Sequence, residues 1–146
     1  MRRFDPPIRA LVREARTKLR RRMPTAIELV YENARAIAIG FASSERKSDA
    51  IVSLAVYNRG VNLYFIYGAA LADPHGLLLG SGNQGRFVRL ESASLLDRPE
   101  IAALLASAIA EGNTPLPRSG RGYTVIKSVS MSARQRRRMG ASSRVG

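Results

Sequence analysis

Six residues, Gly80-Ser81-Gly82-Asn83-Gln84-Gly85, carry the spacing G-x-G-x-x-G. In dinucleotide-binding folds that spacing lets a strand turn tightly into a helix whose first amides hold a pyrophosphate. The chemistry needs a strand before the glycines and a helix after them. Here a short turn through Leu77-Leu78-Leu79 precedes them, and the strand-like run Arg86-Phe87-Val88-Arg89-Leu90 follows. The order is reversed, so no nucleotide cofactor is expected. Two readings remain. Successive small residues can expose backbone N–H groups as an anion-binding nest, with Arg86 adding charge at its edge. Alternatively, the glycines only reverse the chain. The candidate anion or ligand site is Gly80, Ser81, Gly82, Asn83 and Arg86.

Other residues capable of chemistry are sparse. The chain has one histidine, His75, and no cysteine, so thiolate nucleophiles, disulfides and Cys-built metal sites are impossible. A metal at His75 would need carboxylates, and only Asp73 is near in sequence, so Asp73-Pro74-His75-Gly76 reads as a turn. One histidine with a single acid beside it makes no recognisable triad. Glu28 and Glu32 share one face of a strand-like run and read as solvated outward carboxylates rather than a catalytic pair. No catalytic residue, cofactor or metal is expected.

Charge is more informative. Residues 1–22 hold nine Lys/Arg and two acids, residues 118–146 hold eight Lys/Arg and no acid, and the stretch between holds seven against nine, within a net charge of +13. A near-neutral body with two cationic ends points to an anionic partner met by the ends. Arg9, Arg13, Arg16 and Arg20 step by four, three and four, forming one stripe of a helix. Arg134, Arg136, Arg137 and Arg138 form a polybasic tail, which could bind phosphates without sequence preference or serve only solubility. These eight arginines are the candidate nucleic-acid contacts. Tyr57, Tyr64, Phe65 and Tyr67 fall on neighbouring strand-like runs. Aromatics on a sheet can stack bases, but Arg59 is the only basic residue between Ala50 and Asp73, so core packing is the better reading for most of them.

The elements that must position these residues follow from periodicity. Asp5-Pro6-Pro7 starts a helix, and Ile8, Leu11, Val12, Ala15 and Leu19 make its apolar stripe, so the arginine row should face solvent. Four strand-like runs follow, around Ile27–Glu32, Ile37–Phe41, Ile51–Tyr57 and Asn62–Tyr67, joined by polar turns as in an antiparallel meander. Asp73-Pro74 begins a helical turn, Arg86–Glu91 reads as a fifth strand, and Asp97 and Glu100 are spaced as a capping box for a helix through Ile101, Leu104, Leu105, Ala108 and Ile109. The expected fold is α+β: an antiparallel sheet of about five strands with an N-terminal and a C-terminal helix on one face. Residues 1–112 form the domain, 113–127 a linker in which Tyr123–Ile126 could add a short strand, and 128–146 a basic disordered tail.

The stretch Gly68-Ala69-Ala70-Leu71-Ala72-Asp73-Pro74-His75-Gly76-Leu77-Leu78-Leu79-Gly80-Ser81-Gly82 resembles the YdhG-like proteins, a bacterial family largely of unknown function. The flanking Val61–Phe65, Arg86–Leu90 and Asp97–Ile109 are similar to it as well, so the resemblance covers roughly residues 8–110. It implies a small α+β domain of the secretion-chaperone-like type. The family usually has Lys where Asn83 stands and His where Phe87 stands, so only Arg86 carries over as a ligand position. An iron-chaperone role described for some members is not transferred, because iron wants clustered carboxylates, histidine or cysteine.

The expectation is a non-enzymatic binding protein that contacts nucleic acid or another polyanion through the first helix and the tail. The alternative is a small-ligand or protein-interaction domain with an anion cradle at residues 80–86. No apolar run approaches the roughly 20 residues of a membrane span, no membrane partner is expected, and cytoplasmic is the default location.

Overall fold

The computed structural model describes residues 3–129. Arg134, Arg136, Arg137 and Arg138, with the tail expected to be disordered, lie outside the described residues. Helix α1 (Pro6–Arg22) leads into strands β1 (Ile27–Glu32), β2 (Ala36–Ala42), β3 (Ala50–Tyr57), β4 (Gly60–Phe65) and β5 (Arg86–Leu90), then helix α2 (Pro99–Ala110) and strand β6 (Thr124–Val129). The strands form one sheet in the order β5-β4-β3-β2-β1-β6. The protein is thus α+β, as expected, with the five-strand meander in place. The correction is at the edge: a sixth strand joins the sheet and runs parallel to β1, so the sheet is mixed.

The core lies between the helices and one sheet face. Val12, Ala15 and Leu19 of α1 and Ile101, Leu104, Leu105 and Ala108 of α2 are buried against Ile37, Ile39 and Phe41 of β2, Val52, Leu54 and Val56 of β3, Val61, Leu63 and Phe65 of β4, and Val88 and Leu90 of β5. This is the period-two pattern of a sheet with one covered face. Among the described residues, no helix covers the opposite face. Its central residues are small, Ala38 and Gly40 on β2 and Ser53 and Ala55 on β3, which lie across from one another in the ladder.

Strand β1 reverses the expected orientation. Glu28, Val30 and Glu32 pair with Phe41, Ile39 and Ile37, which places them on the helix-covered side. Ile27, Leu29 and Tyr31 instead face the open side, where Ile27 and Leu29 join Ala42 and Ala50 in a second apolar cluster with Val125 of β6 packed against it. Glu28 is therefore not a solvated outward group, being only 4% exposed, while Glu32 on the same side stays about a third exposed beside Arg3. The apolar positions point away from the main core because β6 gives them a partner there.

Two further expectations are corrected. Residues 71–79 form no helical turn; Asp73 closes a turn by accepting from the amides of Leu77 and Leu78 at 2.9 Å each, and Leu79 then bridges to Phe87. Asp97 does not cap α2. It belongs to a short 3-10 turn (Ala93–Asp97) and forms an ion pair with Lys18 of α1, while Arg98 holds the cap position without a side-chain bond.

The return of β6 to the sheet rests on two local devices. Gly122 donates its amide to the carbonyl of Pro24, and an added Cβ there would lie 1.9 Å from the carbonyl oxygen of Ala26, so only glycine permits this approach. Asp49, 3% exposed, accepts from Ser44 Oγ, Thr114 Oγ1 and Asn113 Nδ2, tying the β2–β3 connection to the segment that leaves α2. Leu116 of the expected linker packs against the core. Gly122→Ala is expected to detach β6, seen as lost amide-exchange protection along β1 and β6 and a lower Tm.

Hydrogen bonds from Ser44 and Thr114, with Arg46 and Asn113 adding to them, hold the Asp49 carboxyl below the ordinary carboxylate range against the opposing effect of burial. A carboxylate depressed in the folded state contributes stability that is full above its unfolded pKa, about 3.9, and is lost as pH falls through the folded value. Thermal melts from pH 6 downward should show that loss, and Asp49→Asn should be less stable at pH 6 with a shallower decline in acid.

Candidate nucleic-acid interface

The arginine row of α1 is divided by the fold. Arg16 Nε donates to Glu28 Oε1 at 2.8 Å, and Arg20 Nε donates to Glu28 Oε2 at 2.5 Å. Both guanidinium groups are paired with the buried carboxylate, so they do not form a free cationic row, although Arg20 still faces solvent as expected and Arg16 is half-buried. Arg9 is half-buried, with its Nε enclosed and lacking a hydrogen-bond partner. Of the four, Arg13 is exposed with no ion pair. Removing one member of a buried charge pair leaves the others uncompensated, although the solvent reaching Arg16 and Arg20, 27% and 49% exposed in their side chains, screens part of that effect. Glu28→Gln should destabilise the fold by about 1–3 kcal/mol, whereas Arg13→Ala should stay within about 0.5 kcal/mol; urea unfolding checks both.

The glycine-rich loop sits at the sheet's outer edge. Arg86 Nη1 donates to the carbonyls of Gly82 and Gly85 at 2.6 and 2.7 Å, so its charge is turned onto the loop's own backbone. Gly80 (φ +108°), where only glycine is unstrained, lies against the Phe87 ring, and Gly85 lies against the Tyr64 ring. Ser81, Gly82 and Asn83 are exposed. Gly68 packs so tightly under Arg86 that an added Cβ would meet Arg86 Cβ at 2.7 Å. His75 is exposed, and among the described residues no three His, Asp or Glu side chains gather as a metal site.

The fold assembles a different cationic surface on the open sheet face. The β1–β2 turn is closed by Asn33, whose Oδ1 accepts from the amides of Arg35 and Ala36 at 2.8 and 2.9 Å. The β3–β4 hairpin turns through Asn58-Arg59 between the paired Tyr57 and Gly60. Because Ala36 pairs with Tyr57, both turns emerge at the same end of the sheet. Arg89 of β5 pairs with Asn62 of β4 on the open face beside them. Arg35, Arg59 and Arg89 thus line one hollow of about 470 Å³ together with Tyr57, Asn58 and Asn62. Among the described residues, none of the three guanidinium groups is in an ion pair, and no acid lines the hollow. Arg59 and Arg89 also border a second hollow toward α1, but Glu14 and Glu91 line that one.

Aromatic rings continue the surface. Tyr64 and Phe87, opposite one another in the ladder, stack with centroids 5.2 Å apart and an interplanar angle of 28°. Tyr31 lies across the small central residues with Lys47 over its ring at 5.3 Å, and burial pushes its phenol up. Phe65, by contrast, is fully buried in the core. Among the described residues, no strand position facing the open side is occupied by Asp or Glu.

Phe87, Arg89, Asn62 and Arg35 escaped the sequence reading. Alternation within Arg86–Leu90 and within Gly60–Phe65 does place Phe87 with Arg89 and Asn62 with Tyr64, each pair on one face. Which strands stand side by side, and hence that Arg35 joins them, requires the ladder.

The fold and this surface define a small α+β domain with one helix-covered and one uncovered sheet face. The chain was compared with protein-family models, curated proteins and solved structures, and none of them matches it. Among the described residues, no helix is long and apolar enough to cross a membrane.

Proposed function

We propose that this protein is a non-enzymatic binder of nucleic acid or a similar polyanion, and that its principal contact surface is the open sheet face rather than the α1 arginine stripe. The observation that carries this is the hollow lined by Arg35, Arg59 and Arg89, three guanidinium groups that, among the described residues, have no ion pair and no acid beside them in the lining. Guanidinium groups match phosphate oxygens in a bidentate geometry, and a surface without carboxylates holds its positive potential. The exposed Arg13 and Arg21 of α1 and the basic residues of segment 130–146 add to the net positive charge of the chain. The anion cradle at residues 80–86 has less support as the main site, since Arg86 is committed to the carbonyls of Gly82 and Gly85. Membership of the YdhG-like family remains part of the proposal on the residues that carry the resemblance.

Such binding rests on phosphate contacts and weakens steeply with salt. By fluorescence anisotropy, the full chain should bind labelled oligonucleotides at low salt. Arg59→Ala and Arg89→Ala should each weaken binding across sequences and lower the slope of log K against log salt by about 1. Arg16→Ala should leave that slope unchanged. Absence of binding at low salt, or indifference to the Arg59 and Arg89 changes, would overturn the proposal.

A further inference from the structure

We infer that the polyanion is single-stranded nucleic acid, its bases resting on the Tyr64–Phe87 pair and its backbone running into the hollow of Arg35, Arg59 and Arg89. This rests on the preceding reading of the open face as a polyanion surface and adds what distinguishes the ligand. Phosphate attraction alone would not discriminate a single strand from a duplex or from inorganic polyphosphate.

Three observations select the single strand. The first is the aromatic pair, whose rings are stacked 5.2 Å apart, half-buried and flanked by Gly80 and Gly85. As glycines, these two positions add no side chain of their own beside the rings. A base laid on an aromatic ring is held by stacking that tolerates any sequence, and only an unpaired strand has base faces to offer.

The second is the relief of the surface. Between Tyr64 and Tyr31 the strands carry only the small residues Ser53, Gly40, Ala55 and Ala38, the first three buried among their neighbours, and among the described residues no helix or ribbon projects from this face. Reading duplex DNA needs a helix or β-ribbon that enters a groove, whereas a low sheet face flanked by rings suits one extended strand.

The third is Asn62. It stands two residues from Tyr64 on the same strand face, roughly 7 Å along the sheet, and pairs with Arg89 across the ladder. Its Oδ1 is buried and, among the described residues, has no hydrogen-bond partner, a state that disfavours the unliganded surface. Phosphate offers no donor for this oxygen. The ring N–H and exocyclic amine groups of bases do, once the amide turns toward the hollow it lines. The stride from aromatic pair to Asn62 to arginine hollow then follows base, base edge and phosphate along one chain.

The test uses the full chain, with a labelled 12-nucleotide pyrimidine strand, its duplex and inorganic polyphosphate, read by anisotropy and competition. The single strand should bind at least tenfold more tightly than the duplex. Phe87→Leu and Tyr64→Leu, which keep apolar volume, should each weaken single-strand binding by about fivefold or more, with the salt slope and polyphosphate competition unchanged. The unsubstituted protein gives a readout free of folding effects: tyrosine emission should be quenched by the single strand and not by polyphosphate. Equal affinity for strand and duplex, or leucine variants that bind the strand like the parent without quenching in the parent, would overturn the inference while leaving polyanion binding in place. No binding to any of the three probes would overturn both.

Discussion

A carboxylate under a helix governs much of this structure. Glu28 is held on the covered side of β1 by Arg16 and Arg20, in a position where an unpaired charge would be strongly disfavoured. With Glu28 fixed there, the pleat sends Leu29 and its apolar neighbours to the other side of the sheet. An apolar strand face left open to water would be a liability. It becomes instead the seat of β6, whose Val125 packs on that cluster. One ion triad thus sets the facing of β1, the need for a sixth strand and the pairing of two arginines that α1 would otherwise present free.

The cations fall into two kinds as a result. Some are committed within the fold: Arg16 and Arg20 to Glu28, Lys18 to Asp97, Arg22 to the carbonyl of Leu96, and Arg86 to its loop. They fasten α1 to β1 and to the turn before α2. Others, Arg35, Arg59 and Arg89, have no ion pair among the described residues and stand around a hollow that no acid lines. Positive charge that stabilises the fold is largely neutralised, and only the remainder is available to a partner. The net charge of the chain therefore overstates what α1 can present and gives no hint of what the sheet presents.

The open face gains its character from small residues. Gly40, Ala38, Ser53 and Ala55 on the two central strands keep the floor low, while Tyr31, Tyr64 and Phe87 on flanking strands rise beside it. A large residue at any of these central positions would raise that floor. The glycines of the 80–85 loop lie along the Tyr64–Phe87 pair, so the segment that looks most like a phosphate loop serves the aromatic platform as its border. The stapling of the post-α2 segment by Asp49 and the close passage at Gly122 complete the sheet edge farthest from it.

Period and punctuation determined most of the elements, though not the course of residues 71–79 or the return of β6. The apolar stripes of α1 and α2, the alternation of β2 to β5 and the two tight turns are local properties, and Val12, Ala15, Leu19, Ile101, Leu104, Leu105 and Ala108 are buried where the spacing puts them. The absence of cysteine, and of more than one histidine, was equally plain. Tertiary structure alone decided which side of β1 is covered, because alternation gives two faces without saying which one a helix will shield. It also decided the grouping of Arg35, Arg59 and Arg89, which are far apart in the chain and meet only through the register of three ladders. The sequence counts charges, but whether a charge is neutralised or left for a ligand depends on what the folded chain places within a few ångströms of it.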